Sequence, residues 1–546
     1  MLQFFVHRDG GPAGQWPLRH AGIVAADGST APGEISILDG LLTVATRHGG
    51  TVSLEVLFPL DGGPDRPGRE LLLSTTLLPQ RPSPYLLALE LARKQVMRFL
   101  NALEDWNLAM LPADHRALVT FERAREDFSA ALVSWRSVQA NGAKADDPGV
   151  GEADAKARRA LNDACEAGEW LVAEAVARGL AARADGSWFA DAVERAERSI
   201  GRPATKPVSV VKAPEAHGVA LAGVARVGCG VDPASFEPPA QAALTRAADF
   251  VAVPMPWSAV EPAEGRYQFA ATDRWIEWAV RVGKLPVVAG PLLDFAPGKM
   301  PEWLYIWEND YETLRELVYE HVRQVVTRYR RTVQWWTVAS SLGAEGAMGL
   351  RFEQIADVLR VATTVVRKLH PQGRVQVEIV DPFALYAGRS PRTVPPLLLG
   401  ELIAQASARV DAIGLRIDLS DPAAAGAVRD AMAFSEMLDR YAVLDRPLSI
   451  TFAQCPSGPG VDQGESGSWD GPWSPKAQAD WIDRVLVVAA AKPYVHSIAW
   501  GLAQDTPRAA GGVGLVDAAG APRPALLALV NLRQSVRAGQ VVGAKG

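Results

Sequence analysis

The chain has 546 residues, 48% hydrophobic and 22% charged, a globular balance with length for roughly two to four domains. Its net charge of −6 is spread along the chain without a basic block, which argues against nucleic acid or anionic lipid as a partner. Cys165, Cys229 and Cys455 are scattered and the eight histidines lack ligand spacing, so no disulfide framework, metal site or cofactor is expected.

The amino terminus has no cationic region followed by a long apolar run, so it does not read as a secretory signal. No window approaches the roughly 18 apolar residues of a membrane helix, and the expected setting is cytoplasmic. Residues 1–83 read as β structure, because Ile35 and Ile37, Leu42 and Val44, then Val52, Leu54 and Val56 repeat at the period of half-buried strands. Asp39-Gly40 and Gly49-Gly50 supply the hairpin turns, and Asp61 to Gly68 is a loop. A small sandwich-like domain follows, either a carbohydrate-binding or docking module or, as favoured here, a cover for the helices after it.

Over residues 84–200 the period becomes helical. Leu89, Ala92, Val96, Phe99 and Leu103 mark one helix, Phe121, Ala124, Phe128, Ala131 and Trp135 a second, and Leu161, Ala164, Gly168, Leu171 and Ala175 a third. Asn141 to Gly151, rich in Gly and Asp, reads as a mobile loop between the last two. The three apolar stripes need a partner surface, supplied by the β layer, by the rest of the chain or by a second copy, which makes homo-oligomerisation through this region an open expectation. Residues 201–215 hold three prolines and little pattern, and read as a linker.

From residue 216 to 540 apolar strand and amphipathic helix alternate eight times. The candidate strands are Val219 to Gly228, Phe250 to Val253, Leu285 to Ala289, Val333 to Ala339, Val375 to Val380, Ala412 to Ile417, Leu448 to Ala453 and His496 to Gly501. The fold class expected is therefore α/β, a (β/α)8 barrel at the carboxy terminus.

Several motifs in order resemble glycoside hydrolase family 10, the xylanase type. They are Trp257-Ser-Ala-Val-Glu-Pro-Ala-Glu-Gly-Arg-Tyr-Gln-Phe269, Pro301-Glu-Trp-Leu304, Asp411-Ala-Ile-Gly-Leu415, Trp473 to Trp481, Lys492-Pro-Tyr-Val495 and Trp500-Gly-Leu-Ala-Gln-Asp505. The resemblance implies a retaining glycosidase with a glutamate acid/base ending strand four and a glutamate nucleophile on strand seven. Here those positions are Ser341 and Phe452. A serine hydroxyl cannot protonate a leaving glycosidic oxygen near neutral pH, and a phenyl ring cannot attack an anomeric carbon. No catalytic residue is thus expected at either family position, and the reading is a pseudo-glycosidase with a carbohydrate-binding or structural role.

The alternative is an active glycosidase using carboxylates relocated to other strand ends. Asp294, Glu345 and Asp418 are the candidates, with Asp381 behind them, and Glu378 ranks lowest because it lies inside its strand. The competing reading of these acids is that they are solvated loop residues, with Asp418 paired to Arg416. For ligand contact the choices are Trp257, Trp469, Trp473 and Trp500, whose indole faces can stack on sugar rings, together with Ser340 and Arg416. Ordinary packing accounts for the tryptophans equally well.

Overall fold

A computed structural model describes residues 1–26, 28–62, 67–187, 224–343, 348–383, 393–405, 410–420, 427–458, 467–506 and 511–542. The alternation near the amino terminus builds two four-stranded sheets. One runs in the order Tyr85–Leu86, Leu2–Phe5, Leu41–Thr46, Gly33–Leu38, and the other Thr30–Ala31, Gly22–Ala25, Val52–Leu60, Arg69–Ser74. Asp39 and Gly40, both at positive φ, turn the chain between Gly33–Leu38 and Leu41–Thr46, as the dipeptide predicts.

Three helices follow: α1 (Leu87–Asp105), α2 (Arg116–Ala140) and α3 (Pro148–Ala184). The expected loop of residues 141–151 is shorter than the composition implied. Asp147 caps α3 by accepting from the Gly149 amide at 2.8 Å, and Pro148 takes the first helical position, where its missing N–H costs no hydrogen bond. The Phe99 and Phe121 rings stack at 4.1 Å between α1 and α2.

The helical region is joined to the barrel within this one chain. Arg98 of α1 pairs with Asp430 at 3.1 Å and with Glu436 at 2.8 Å, and Asp430 caps the barrel helix Ala431–Ala442. Burial works against the Asp430 charge, but Arg98, the Ala433 amide and Gln95 outweigh it and hold the carboxyl below its ordinary range. Arg183 of α3 donates to the carbonyls of Ala490, Lys492 and Val495 at 2.6–3.0 Å, just before the last barrel strand. The apolar stripes of α1 to α3 are therefore covered in part by the chain's own barrel. The expected linker, residues 201–215, lies outside the described residues.

The carboxy-terminal strands are Arg226–Gly230, Phe250–Val253, Val287–Ala289, Val333–Ser340, Arg374–Val380, Ala412–Asp418, Leu448–Gln454 and Val495–Trp500, called the first to eighth barrel strands below. Their pairings are all parallel, first to second and to eighth, round to fourth with third, so the sheet closes on itself. A two-residue extension after the third strand, Leu293–Asp294, pairs with Ala339 and Ser340 of the fourth. Among the described residues no helix is long and apolar enough to cross a membrane.

Candidate functional site

In a parallel barrel, alternate residues of each strand point inward, and those near the carboxyl ends form the mouth. Here the inward residues leave a cavity of about 650 Å³ running from the mouth toward the barrel floor. Its interior carries stacked polar links between strands. Near the floor His496 stacks on Trp335, ring centres 4.6 Å apart. Above them Gln376 donates to Thr337 at 2.9 Å and accepts from Ser449 at 2.6 Å, joining the fourth, fifth and seventh strands.

The next link lies at the end of the fourth strand. Ser340 donates to Glu378 Oε1 at 2.6 Å, Thr451 donates to Glu378 Oε2 at 2.6 Å, and Ser341 donates to Asp294 Oδ1 at 2.9 Å. The two serine hydroxyls are 3.4 Å apart, but each gives its one proton to a carboxylate, so Glu378–Ser340 and Ser341–Asp294 are two adjacent pairs and not one hydrogen-bonded chain. Ser341 sits at φ 61, a left-handed conformation that side-chain-bearing residues seldom adopt, and such strain collects at binding and catalytic sites. Because serine is short, carboxylates from the third and fifth strands reach into the space beside it.

On the opposite wall the Arg416 guanidinium lies 3.8 Å from the centre of the Phe452 ring and 3.2 Å from Asp418. Burial opposes the Arg416 charge, yet Glu378, Asp418 and Asp294 together raise its proton affinity above the ordinary value. A third of its side chain remains exposed, so the cation faces the cavity as well as the ring. Gly501 makes this stacking possible, since a Cβ there would come within 2.6 Å of the Phe452 ring. Asp418 also accepts from the Ser420 hydroxyl at 2.5 Å and from the Ser420 amide at 3.0 Å.

Ser340, Ser341, Phe452, Asp294, Asp418, Arg416 and Trp500 all lie on the cavity wall. Trp500 contributes only part of its surface, for its indole is fully buried and donates to the Val513 carbonyl at 3.1 Å. Trp257, Trp469 and Trp473 are not on that wall. Trp257 is enclosed, stacked on His321 at 4.2 Å with its N–H on Glu261, while Trp469 and Trp473, between the seventh strand and the helix that follows it, are buried. Packing is thus what the structure gives these three. Glu345 lies outside the described residues.

Glu378, the lowest-ranked acid in the sequence, stands between the Ser340 and Thr451 hydroxyls with only 3% of its surface exposed. The signal for it was present. Gln376 and Glu378 are two residues apart, hence on one face of a strand whose other residues from Val375 onward are aliphatic, and the interior of the barrel is the face that can satisfy them. Among the described residues no group of three or more His, Cys, Asp or Glu side chains is placed to hold a metal ion. Asp294, Glu378, Asp381 and Asp418 all line the cavity.

Residues 219–380 match the model of glycosyl hydrolase family 10, so this part of the chain is a family-10-like domain. The match ends at the fifth barrel strand and includes Ser341 but not Phe452. Endo-1,4-beta-xylanase B of Humicola insolens is 25% identical over 163 residues, which are 30% of this chain and 43% of that protein. The chain therefore spans less than half of that curated relative. Among solved structures, xylanase B from Clostridium stercorarium F9 aligns at 16% identity with a TM-score of 0.44, over 56% of this chain and 97% of that one. Xylanase 10B from Thermotoga petrophila in complex with xylobiose gives 16% and 0.44, over 57% and 94%.

Proposed function

We propose that the barrel binds a sugar, of the neutral pentose or hexose type that the xylanase relationship suggests, without cleaving it by the retaining mechanism. A retaining glycosidase places two carboxyl groups about 5 to 5.5 Å apart, one as acid/base and one as nucleophile. The observation that carries the proposal is the Arg416–Phe452 stack at 3.8 Å, where the resemblance puts the nucleophile, opposite a fourth strand that ends in hydroxyls. The acids that remain accept hydrogen bonds from their neighbours: Glu378 from Ser340 and Thr451, Asp294 from Ser341 and the Ala296 amide, Asp418 from Ser420. Hydroxyls, carboxylates and the cations Arg416 and Lys299, set among apolar wall residues, are groups that orient a polyol.

A second reading is inverting hydrolysis by Asp294 with Glu378 or Asp418. It is favoured by their sharing one cavity and by the short path from Glu378 to Asp294 through the two serine oxygens, with contacts of 2.6, 3.4 and 2.9 Å. Laid end to end those links stay below the upper limit of the roughly 6.5–9.5 Å that separates inverting carboxyl groups. A thermal-shift screen of xylose, xylobiose, glucose, galactose and N-acetylglucosamine, with product analysis on each mixture, separates the readings. A shift with intact sugar supports binding alone, a shift with hydrolysed sugar supports the inverting reading, and no shift with any sugar removes both.

A further inference from the structure

The loop after the sixth barrel strand reaches the cavity wall at Leu419 and Ala427, and the described ends of the loops after the sixth and seventh strands are both stitched to the amino-terminal sheet. The Leu72 amide donates to the Val428 carbonyl at 2.7 Å. Glu70 and Ser468 exchange two backbone hydrogen bonds of 3.0 and 2.8 Å, and the Gly471 amide donates to Gly68 at 3.0 Å, so the strand Arg69–Ser74 gains a partner from the barrel's seventh loop. Gly467 permits the approach, because a Cβ there would meet the Glu70 carbonyl at 2.3 Å.

Side chains carry the contact through to the cavity. Leu57 and Leu72 of the sheet pack on Ala427, and Ala427 is part of the cavity wall. Glu55 holds Arg429 by two contacts of 3.0 and 3.3 Å, and that guanidinium lies 4.7 Å from the centre of the Phe383 ring, also on the wall.

We infer that the amino-terminal sheet is a fixed wall across one side of the mouth, making the site a receptor for a chain end or a short sugar instead of a groove along a polymer. The ligand class rests on the sugar-binding reading above; the wall does not. A groove that grips the middle of a polysaccharide must be open at both ends, whereas here the sheet backs the cavity wall at Ala427 and, through Arg429, at Phe383. A 650 Å³ cavity lies in the roughly 300–1,000 Å³ range of pockets that enclose a single small ligand, room for about one or two pyranose rings.

The test titrates the full chain with xylo-oligosaccharides of increasing length and measures amide hydrogen exchange at Leu72 and Ser468. Affinity that stops rising by about two rings, with both amides protected, is the expected result. Affinity that climbs to five or six rings, or amides that exchange at loop rates, overturns the wall while leaving the sugar reading intact. Silence toward every sugar with protected amides removes the sugar reading, and with it the ligand class stated here. Gly467→Ala should speed exchange at both amides by at least tenfold and weaken the short-sugar complex several-fold, with Glu55→Gln as the milder variant doing the same to a smaller degree. Faster exchange with unchanged affinity for xylobiose would show that the sheet does not shape the site.

Discussion

His496 offers a quantitative test of how the barrel interior is built. The ring is 5% exposed, stacked on Trp335, and neither nitrogen has a hydrogen-bond partner among the described residues. Burial, then the charge of Arg183, pushes its proton affinity down from the ordinary 6.5 to about 3. The unfolded chain therefore takes up a proton as pH falls through 6.5, while the folded chain does so only near 3. Stability from this group is whole above pH 6.5 and is lost as pH falls toward 3, by about 1.4 kcal/mol per pH unit. Between pH 7.5 and 5.0 the loss comes to roughly 2 kcal/mol. His496→Phe keeps a ring on Trp335 and removes the proton site. Urea unfolding of both proteins at the two pH values should show a pH-induced loss smaller by roughly 2 kcal/mol in the variant. Equal losses would mean that His496 binds its proton as readily folded as unfolded, and the account of a buried neutral floor would fail.

Arg98→Ala should destabilise the chain by about 3 to 5 kcal/mol in urea unfolding at pH 7, because it leaves the buried Asp430 carboxylate without its cation. Its benefit to the wild type should also fade in acid, since a carboxyl held below its ordinary range stabilises the fold above about pH 4 and ceases to as pH drops through its folded value. For ligand preference, Asp294, Glu378, Asp381 and Asp418 on the cavity wall outnumber Arg416 and Lys299. Calorimetric titration should find a uronic acid bound at least about tenfold more weakly than its neutral sugar, and equal affinity would refute that charge argument.

The barrel was legible because its strands are buried on both faces and its helices on one, which writes two different periods into the sequence. Each candidate strand has its counterpart, with ends displaced by a residue or two except at the first, whose residues 219–223 lie outside the described part. The start of α3 was missed because glycine and aspartate were weighed as loop composition, whereas Asp147-Pro148 is a cap followed by a helix-compatible proline. At the site, Ser341, Phe452, Asp294, Asp418 and Arg416 could be placed by their position at strand ends. The tryptophans could not, since an indole after a strand packs beneath a loop as readily as it faces a cleft, and nothing local decides between them. The docking of Arg69–Ser74 on the seventh loop links residues nearly 400 positions apart. No periodicity within either segment encodes such a contact.

We propose that this family-10-like barrel recognises a sugar without cleaving it by the retaining mechanism. The most direct measurement incubates the purified full chain with xylobiose and an aryl xylobioside, following binding by calorimetry and release of xylose or the aryl group over a day. Saturable binding with no release above a heat-inactivated control is the expected result. Release that is abolished by Glu378→Gln or Asp294→Asn would contradict it.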